Sequence, residues 1–152
     1  MKPISVGLVG LGTVAQGTLN VLANNREELA RRMGREIQIT HVGARRDRDG
    51  VDLSQVKVSR NLMDVALDPE VEIFVELIGG CDYALELIEA AIDSGKHVVT
   101  ANKALIAEHG NALFEKAQAK GVTIAFEASV AGGIPVIKAL REGLAANQIS
   151  WL

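Results

Sequence analysis

The chain has 152 residues, the length of one ordinary domain, and a formal net charge of −3 at pH 7. Hydrophobic residues make up 48% of it and aromatic residues only 3%, which excludes a disordered chain and predicts an aliphatic core. No basic block is present, which argues against nucleic-acid binding. No apolar run is long enough for a membrane span and no signal-peptide layout is present, so we expect a cytoplasmic protein without membrane contact.

The first third of the chain predicts a strand, a glycine turn, a helix and a second strand. Residues 4–9 form a short apolar run, and apolar residues then recur at helical spacing from Ala15 to Met33. Gly34 is a suitable position for the end of this helix. Residues 36–44 predict the second strand, and the charged residues that follow it predict a loop over 45–55.

Strand and helix patterns continue to alternate along the rest of the chain. Asn102 and its neighbours are predicted to begin one helix. The other predicted helices cover residues 62–67, 82–94, 111–120 and 136–144, and the predicted strands cover 71–78, 97–100, 122–126 and 149–152. This alternation predicts an α/β fold with a doubly wound parallel sheet and helices on both faces. Because the chain stops within an apolar run, we expect residues 1–152 to be one domain of a longer protein.

A glycine turn joins the first strand to the first helix. Gly10 and Gly12 are followed by Ala15, in the spacing G-x-G-x-x-G/A of the Rossmann dinucleotide-binding fingerprint. Gly10 permits the tight turn, Gly12 allows close approach of a pyrophosphate, and Ala15 allows close packing of helix and strand. With Leu11, Thr13 and Val14 these residues predict the pyrophosphate site, at a helix N-terminus. A structural glycine turn without a nucleotide is the alternative.

The end of the second strand bears on the choice of cofactor. An acidic residue that binds the ribose is common there in NAD-binding domains, whereas this chain has Arg45 and Arg46. Two guanidinium groups suit the 2′-phosphate of NADP, so we expect NADP to be preferred over NAD. A solvated basic loop is the alternative, and Asp47 could also reach the ribose.

Two further glycines end the strand predicted over residues 71–78. Ligands of open α/β folds bind at the carboxyl edge of the sheet, so Gly79 and Gly80 are predicted to approach the cofactor. An ordinary turn between strand and helix explains them equally well.

Three segments together resemble homoserine dehydrogenase. They are Gly10-Leu11-Gly12-Thr13-Val14, the segment from Val98 to Leu105, and the segment from Phe126 to Ile137. The resemblance covers essentially the whole chain, although the family usually has glycine where Ala15 stands. It implies interconversion of homoserine and aspartate 4-semialdehyde with NAD(P)H, in the synthesis of threonine, methionine and isoleucine. It also implies a homodimer or homotetramer, and a substrate-binding domain after residue 152, without which this chain is inactive.

The resemblance also implies roles for particular residues. Asn102 and Lys103 would lie near the nicotinamide and phosphates, and Lys103 would assist proton transfer as a catalytic residue. An ordinary surface lysine is the alternative. The main-chain carbonyls of four residues would hold a monovalent cation, Na⁺ or K⁺; these residues are Glu127, Val130, Gly132 and Ile134. A plain turn before a helix is the alternative there.

Other classes of protein also fit the pattern. One alternative is another Rossmann oxidoreductase, similar to aspartate-semialdehyde dehydrogenase or dihydrodipicolinate reductase. The first of these needs a nucleophilic cysteine, and Cys81 has no base near it in the sequence. The other alternative is a nucleotide-sensing module without catalysis.

Overall fold

The computed structural model describes residues 1–149 and contains one six-stranded sheet. The strands are β1 (Ile4–Val9), β2 (Ile37–Gly43), β3 (Lys57–Ser59), β4 (Ile73–Glu76), β5 (His97–Thr100) and β6 (Ile124–Ala125). All pairings are parallel, in the order β3-β2-β1-β4-β5-β6. This is the strand order of the Rossmann fold, and the predicted fold class is confirmed.

Helices cover both faces of the sheet and connect every pair of consecutive strands except β2 and β3, which are joined by a loop. The helices are α1 (Thr13–Asn24), α2 (Arg26–Met33), α3 (Met63–Ala66), α4 (Asp82–Asp93), α5 (Lys103–Ala119) and α6 (Val136–Lys138), with a 3₁₀ turn at Glu127–Ser129 and a π-helical turn at Ala139–Gly143. No helix in residues 1–149 is long and apolar enough to cross a membrane.

The core consists of two apolar clusters separated by the sheet. Every residue of β1 is buried, as expected for a central parallel strand that is covered on both faces. Side chains alternate between the faces: Leu8 and Val75 belong to one cluster, and Val9 and Phe74 belong to the other. The first cluster packs against α1, and the second packs against α3, α4 and α5.

The helix predicted from Ala15 to Met33 is two helices, so that prediction is wrong in its middle. Asn25 leaves the helical conformation (φ −113°, ψ 18°), ends α1 and precedes α2. Both its backbone N–H and its side-chain amide donate to the carbonyl of Val21. A side chain that binds the backbone in this way competes with continued helix. The predicted end at Gly34 is confirmed, with φ 70°.

Several other predicted boundaries differ from the structure. The helix begun at Asn102 continues without interruption to Ala119, and the predicted separate helix over 111–120 is its second half. The strand predicted over 71–78 is only Ile73–Glu76, because the N–H groups of residues 78 and 79 bind a side chain instead of a neighbouring strand. The helix predicted over 136–144 changes from α to π after Lys138.

Two differences concern short strands. The pattern did not predict β3, which has three residues and pairs with β2 alone. The strand predicted over 122–126 is limited to Ile124–Ala125. The strand predicted over 149–152 lies outside the described residues except for Ile149, which is not in a strand.

Candidate functional site

A cleft lies at the carboxyl edge of the sheet, where the strand order reverses between β1 and β4. Ligands of open α/β folds bind at this kind of switch point. The cleft has a volume of about 480 Å³, within the usual range for a small-molecule site. Predicted residues on its wall are Gly10, Leu11, Gly12, Arg45, Arg46 and Gly79; residues that the pattern did not indicate are Gly43, Ala44, Arg48, Leu62, Leu77, Ile78 and Tyr83.

The presence of glycine at the two positions of the turn has a different physical reason in each case. Gly10 has φ +98°, and a Cβ atom there would lie 2.7 Å from the carbonyl oxygen of Leu77, so the fold itself requires glycine. Gly12 has an ordinary φ of −72°, and a Cβ atom there would meet nothing within 4 Å. Of these two glycines, Gly12 is therefore the one that leaves open space beside the backbone where a ligand could approach. Ala15 is completely buried, as the packing of α1 on β1 requires.

The start of α1 has the properties of an anion site. Gly12 provides no side-chain cap, and the first turn contains no acidic residue. Thr13 and Val14 are exposed at this end of the helix. The first backbone N–H groups of a helix lack partners within the helix, and the helix dipole is positive there. This arrangement suits a pyrophosphate.

The residues after β2 bring positive charge to the cleft. Arg45, Arg46 and Arg48 line it with exposed side chains. The guanidinium carbon of Arg45 lies 5.6 Å from the ring centroid of Tyr83, at the start of α4. Asp47 does not line the cleft, and both its oxygens accept hydrogen bonds from Arg60, at 2.7 and 2.8 Å.

The loop after β4 depends on glycine and on a buried acid. Gly79 and Gly80 have φ values of +72° and +74°, which other residues rarely adopt. Glu76 is fully buried, and one of its oxygens accepts the N–H groups of Ile78 and Gly79 at 2.8 and 3.1 Å. The sequence pattern missed Glu76, because it lies within an apolar strand; an acid that interrupts a buried strand is the signal that could have identified it.

Asn102 and Lys103 differ in their surroundings. Asn102 is the N-cap of α5: its side-chain oxygen accepts the N–H of Leu105, and its amide donates to the carbonyl of Gly80 at 2.6 Å. Its amide is thus occupied by protein partners. Lys103 is the first residue of α5 and is exposed at the same edge of the sheet.

The predicted cation loop forms a 3₁₀ turn followed by a bend. The carbonyls of Glu127, Val130 and Ile134 each accept one local N–H group, which leaves each oxygen a second lone pair. Gly132 has φ +62°, and this helps the backbone to curl. The Glu127 carboxylate accepts the N–H groups of residues 137 and 138. Side chains of the described residues form no group of three or more potential His, Cys, Asp or Glu ligands.

Cys81 does not have the surroundings of a nucleophile. Partial burial raises the pKa of its thiol, and the carboxylate of Glu108 raises that pKa further. A nucleophilic cysteine needs the opposite shift.

The strand order, the glycine turn and the uncapped helix define a Rossmann-type dinucleotide-binding domain. Comparison with known proteins identifies the family. Residues 10–127 match the family described as "Homoserine dehydrogenase, NAD binding domain". The chain belongs to the homoserine dehydrogenase family, as its NAD(P)-binding domain.

Individual relatives agree with this assignment. The chain is 59% identical to homoserine dehydrogenase of Pseudomonas aeruginosa over 152 residues, covering 100% of this chain and 35% of the relative. Identity to the Neisseria gonorrhoeae enzyme is 49%, covering 98% of this chain and 34% of that protein. The crystal structure of a homoserine dehydrogenase from Thiobacillus denitrificans superposes with a TM-score of 0.90, at 57% identity over 97% of this chain and 35% of that one. The chain thus spans about a third of these relatives.

Proposed function

We propose that this chain is the cofactor-binding part of an enzyme that interconverts L-homoserine and L-aspartate 4-semialdehyde. The family match, together with the glycine-lined cleft at the switch point, carries this proposal. The bound nicotinamide would supply or accept the hydride. The chain itself would bind the pyrophosphate at Gly10, Leu11, Gly12 and the first N–H groups of α1, at Thr13 and Val14.

We assign substrate binding to a part of the complete protein outside this chain, by analogy with the relatives, of which the chain covers only about a third. The complete protein would be cytoplasmic and would form a homodimer or homotetramer. We expect residues 1–152 alone to bind NAD(P)H but not to oxidise homoserine. The test compares homoserine-dependent reduction of NADP⁺ by this chain and by the complete protein. Turnover by the 152-residue chain alone would contradict the division of roles.

For the cofactor, we propose NADP(H) rather than NAD(H). Arg45 and Arg46 support this choice, since both are exposed on the cleft wall and Asp47 is paired with Arg60. Titration with NADPH and NADH, followed by nucleotide fluorescence, tests the proposal. We expect tighter binding of NADPH, and the double variant R45A/R46A should lose that difference. Arg32→Ala, on the exposed face of α2, is the control, and equal wild-type affinities would contradict the proposal.

Lys103 is proposed as the residue that assists proton transfer to the substrate oxygen. Two observations support this role. Lys103 is exposed at the carboxyl edge of the sheet, and the hydrogen bond from the neighbouring Asn102 to Gly80 keeps the start of α5 beside the loop of Gly79 and Gly80. A lysine at the start of a helix is electrostatically disfavoured, which is consistent with a function outside the helix. In the complete protein Lys103→Met should lower kcat at least ~100-fold. An unchanged kcat would contradict the role.

The loop of Glu127, Val130, Gly132 and Ile134 is proposed to bind Na⁺ or K⁺ through main-chain carbonyls. Hard cations prefer oxygen ligands, and the second lone pairs of these carbonyls supply them. If so, NaCl or KCl should raise the Tm of the complete protein above its Tm in choline chloride at equal ionic strength. Equal Tm values in the three salts would contradict the site.

A further inference from the structure

The buried carboxylate of Glu76 belongs to a closed ring of hydrogen bonds beneath the cleft. One carboxylate oxygen accepts the N–H groups of Ile78 and Gly79. The other oxygen accepts the hydroxyl of Thr100, on the neighbouring strand, at 2.6 Å. The two residues are paired in the register of β4 and β5, so their side chains lie side by side on the same face of the sheet.

Thr100 carries the ring from the sheet to helix α5. Its hydroxyl oxygen accepts the backbone N–H of Asn102 at 3.0 Å, so its own proton is available for Glu76. The side-chain amide of Asn102 returns to the loop after β4 by donating to Gly80 at 2.6 Å. The end of β4, the glycine loop, the end of β5 and the start of α5 are thus connected by hydrogen bonds around one carboxylate.

A carboxylate at this position costs folding free energy, because burial removes it from water. Packing alone does not explain it: apolar residues of similar volume usually stabilise a core at least as well as buried charged groups. The loop that it holds requires hydrogen bonds to fix its conformation, since Gly79 and Gly80 provide no side chains to restrain it and both have positive φ. A loop of this kind is flexible unless its backbone groups are bound.

We propose that Glu76 is a positioning residue, which holds the glycine loop directly and the first turn of α5 through Thr100 and Asn102, so that both are ready for the dinucleotide. The inference rests on the proposed function, because it takes Gly79, Gly80 and Lys103 as cofactor contacts. A ligand that binds an already ordered loop does not have to order it. Loss of the ring therefore weakens cofactor binding without removing any cofactor contact.

The experiment uses the complete protein that carries this chain. Thr100→Val removes the hydroxyl and keeps the side-chain shape, whereas Thr100→Ser keeps the hydroxyl. Thr123→Val, at an exposed site just before β6, is the control for loss of a threonine hydroxyl. The measurements are the Kd of NADPH by fluorescence, the KM values of NADP⁺ and homoserine, and kcat.

We expect Thr100→Val to raise the Kd of NADPH and the KM of NADP⁺ about tenfold, with little change in the KM of homoserine. Thr100→Ser should restore both values to within about threefold of the wild type. A purely structural role would lower kcat through loss of folded enzyme and leave both values unchanged; that result would overturn the inference. Wild-type protein that bound no dinucleotide would overturn the proposed function, and the inference with it.

A second measurement needs no variant. In the wild-type protein without cofactor, the amides of Ile78 and Gly79 should exchange with D₂O at least tenfold more slowly than the amide of Gly80, although all three lie outside the strand. Equal, rapid exchange of the three amides would show that the carboxylate does not hold the loop, and would overturn the inference even if Thr100→Val failed to fold.

Discussion

The guanidinium of Arg45 lies over the ring of Tyr83, with 5.6 Å between its central carbon and the ring centroid. Both residues line the same cleft, one after β2 and the other in the first turn of α4. The ring face attracts the cation and limits the conformations of a long, exposed side chain. Tyr83 thereby holds one of the two arginines that we propose as contacts of the NADP 2′-phosphate.

Replacement of Tyr83 should therefore affect NADPH more than NADH. We expect Tyr83→Leu to weaken NADPH binding about threefold, the size of an exposed cation–π interaction, and to change NADH binding by less than about twofold. Tyr83→Phe keeps the ring and should bind NADPH like the wild type. Fluorescence titration measures both affinities. An equal loss of affinity for both nucleotides would mean that Tyr83 shapes the cleft in general and does not act through Arg45.

The two glycines of the turn should respond in opposite ways to alanine. Gly10→Ala should destabilise the fold by about 2 kcal/mol or more, because it combines a positive φ with a contact of 2.7 Å to a carbonyl oxygen. Gly12→Ala should change the free energy of unfolding by less than about 0.5 kcal/mol, since its Cβ enters open space, but weaken NADPH binding at least ~10-fold. Urea unfolding and nucleotide titration distinguish the two. Unchanged NADPH affinity of Gly12→Ala would place the pyrophosphate elsewhere.

Asp47 should prove unimportant for the ribose. Its two oxygens are engaged by Arg60, and 83% of its side chain is exposed. Asp47→Ala should thus change NADH affinity by less than about twofold, and stability by less than about 1 kcal/mol, as usual for a surface ion pair. Calorimetric titration with NADH measures the affinity. A tenfold loss would show that Asp47 exchanges Arg60 for the ribose when the nucleotide binds.

A buried acid away from the cleft should make stability depend on pH. Burial alone would raise the pKa of Asp68, but hydrogen bonds from the N–H of Glu70, from Lys57 and from His41 outweigh it and lower the pKa from 3.8 to about 2. A lowered pKa in the folded state contributes stability above pH 3.8, and this contribution is lost as the pH falls towards 2. The shift in pKa corresponds to a contribution of about 2 kcal/mol to the free energy of unfolding at neutral pH.

Asp68→Asn tests this contribution by urea unfolding at several pH values. The variant should be about 2 kcal/mol less stable than the wild type between pH 7 and pH 5. The difference should narrow by about 1 kcal/mol at pH 3, as the unfolded wild-type chain takes up a proton that its folded state still excludes. A difference that stays constant down to pH 3 would mean that the charge of Asp68 contributes nothing.

The amino-acid sequence alone determined the fold class, the glycine turn and the family, because each is indicated by short segments whose own residues are close together in the chain. The positive φ at Gly10 and the helix stop at Gly34 follow from backbone rules that act within a few residues. The interruption at Asn25 is also local. It depends on a side-chain hydrogen bond that competes with the helix, and the spacing of apolar residues carries no information about such a bond.

Tertiary structure alone decided which side chains meet. Glu76 and Thr100 are 24 residues apart in the chain, and only the parallel register of β4 and β5 places them in contact. In the same way β3 forms because β2 offers it an edge, not because three residues prefer to be extended. The position of a turn is set by backbone geometry near it, whereas the partners of a buried carboxylate or an exposed arginine are set by how distant elements pack.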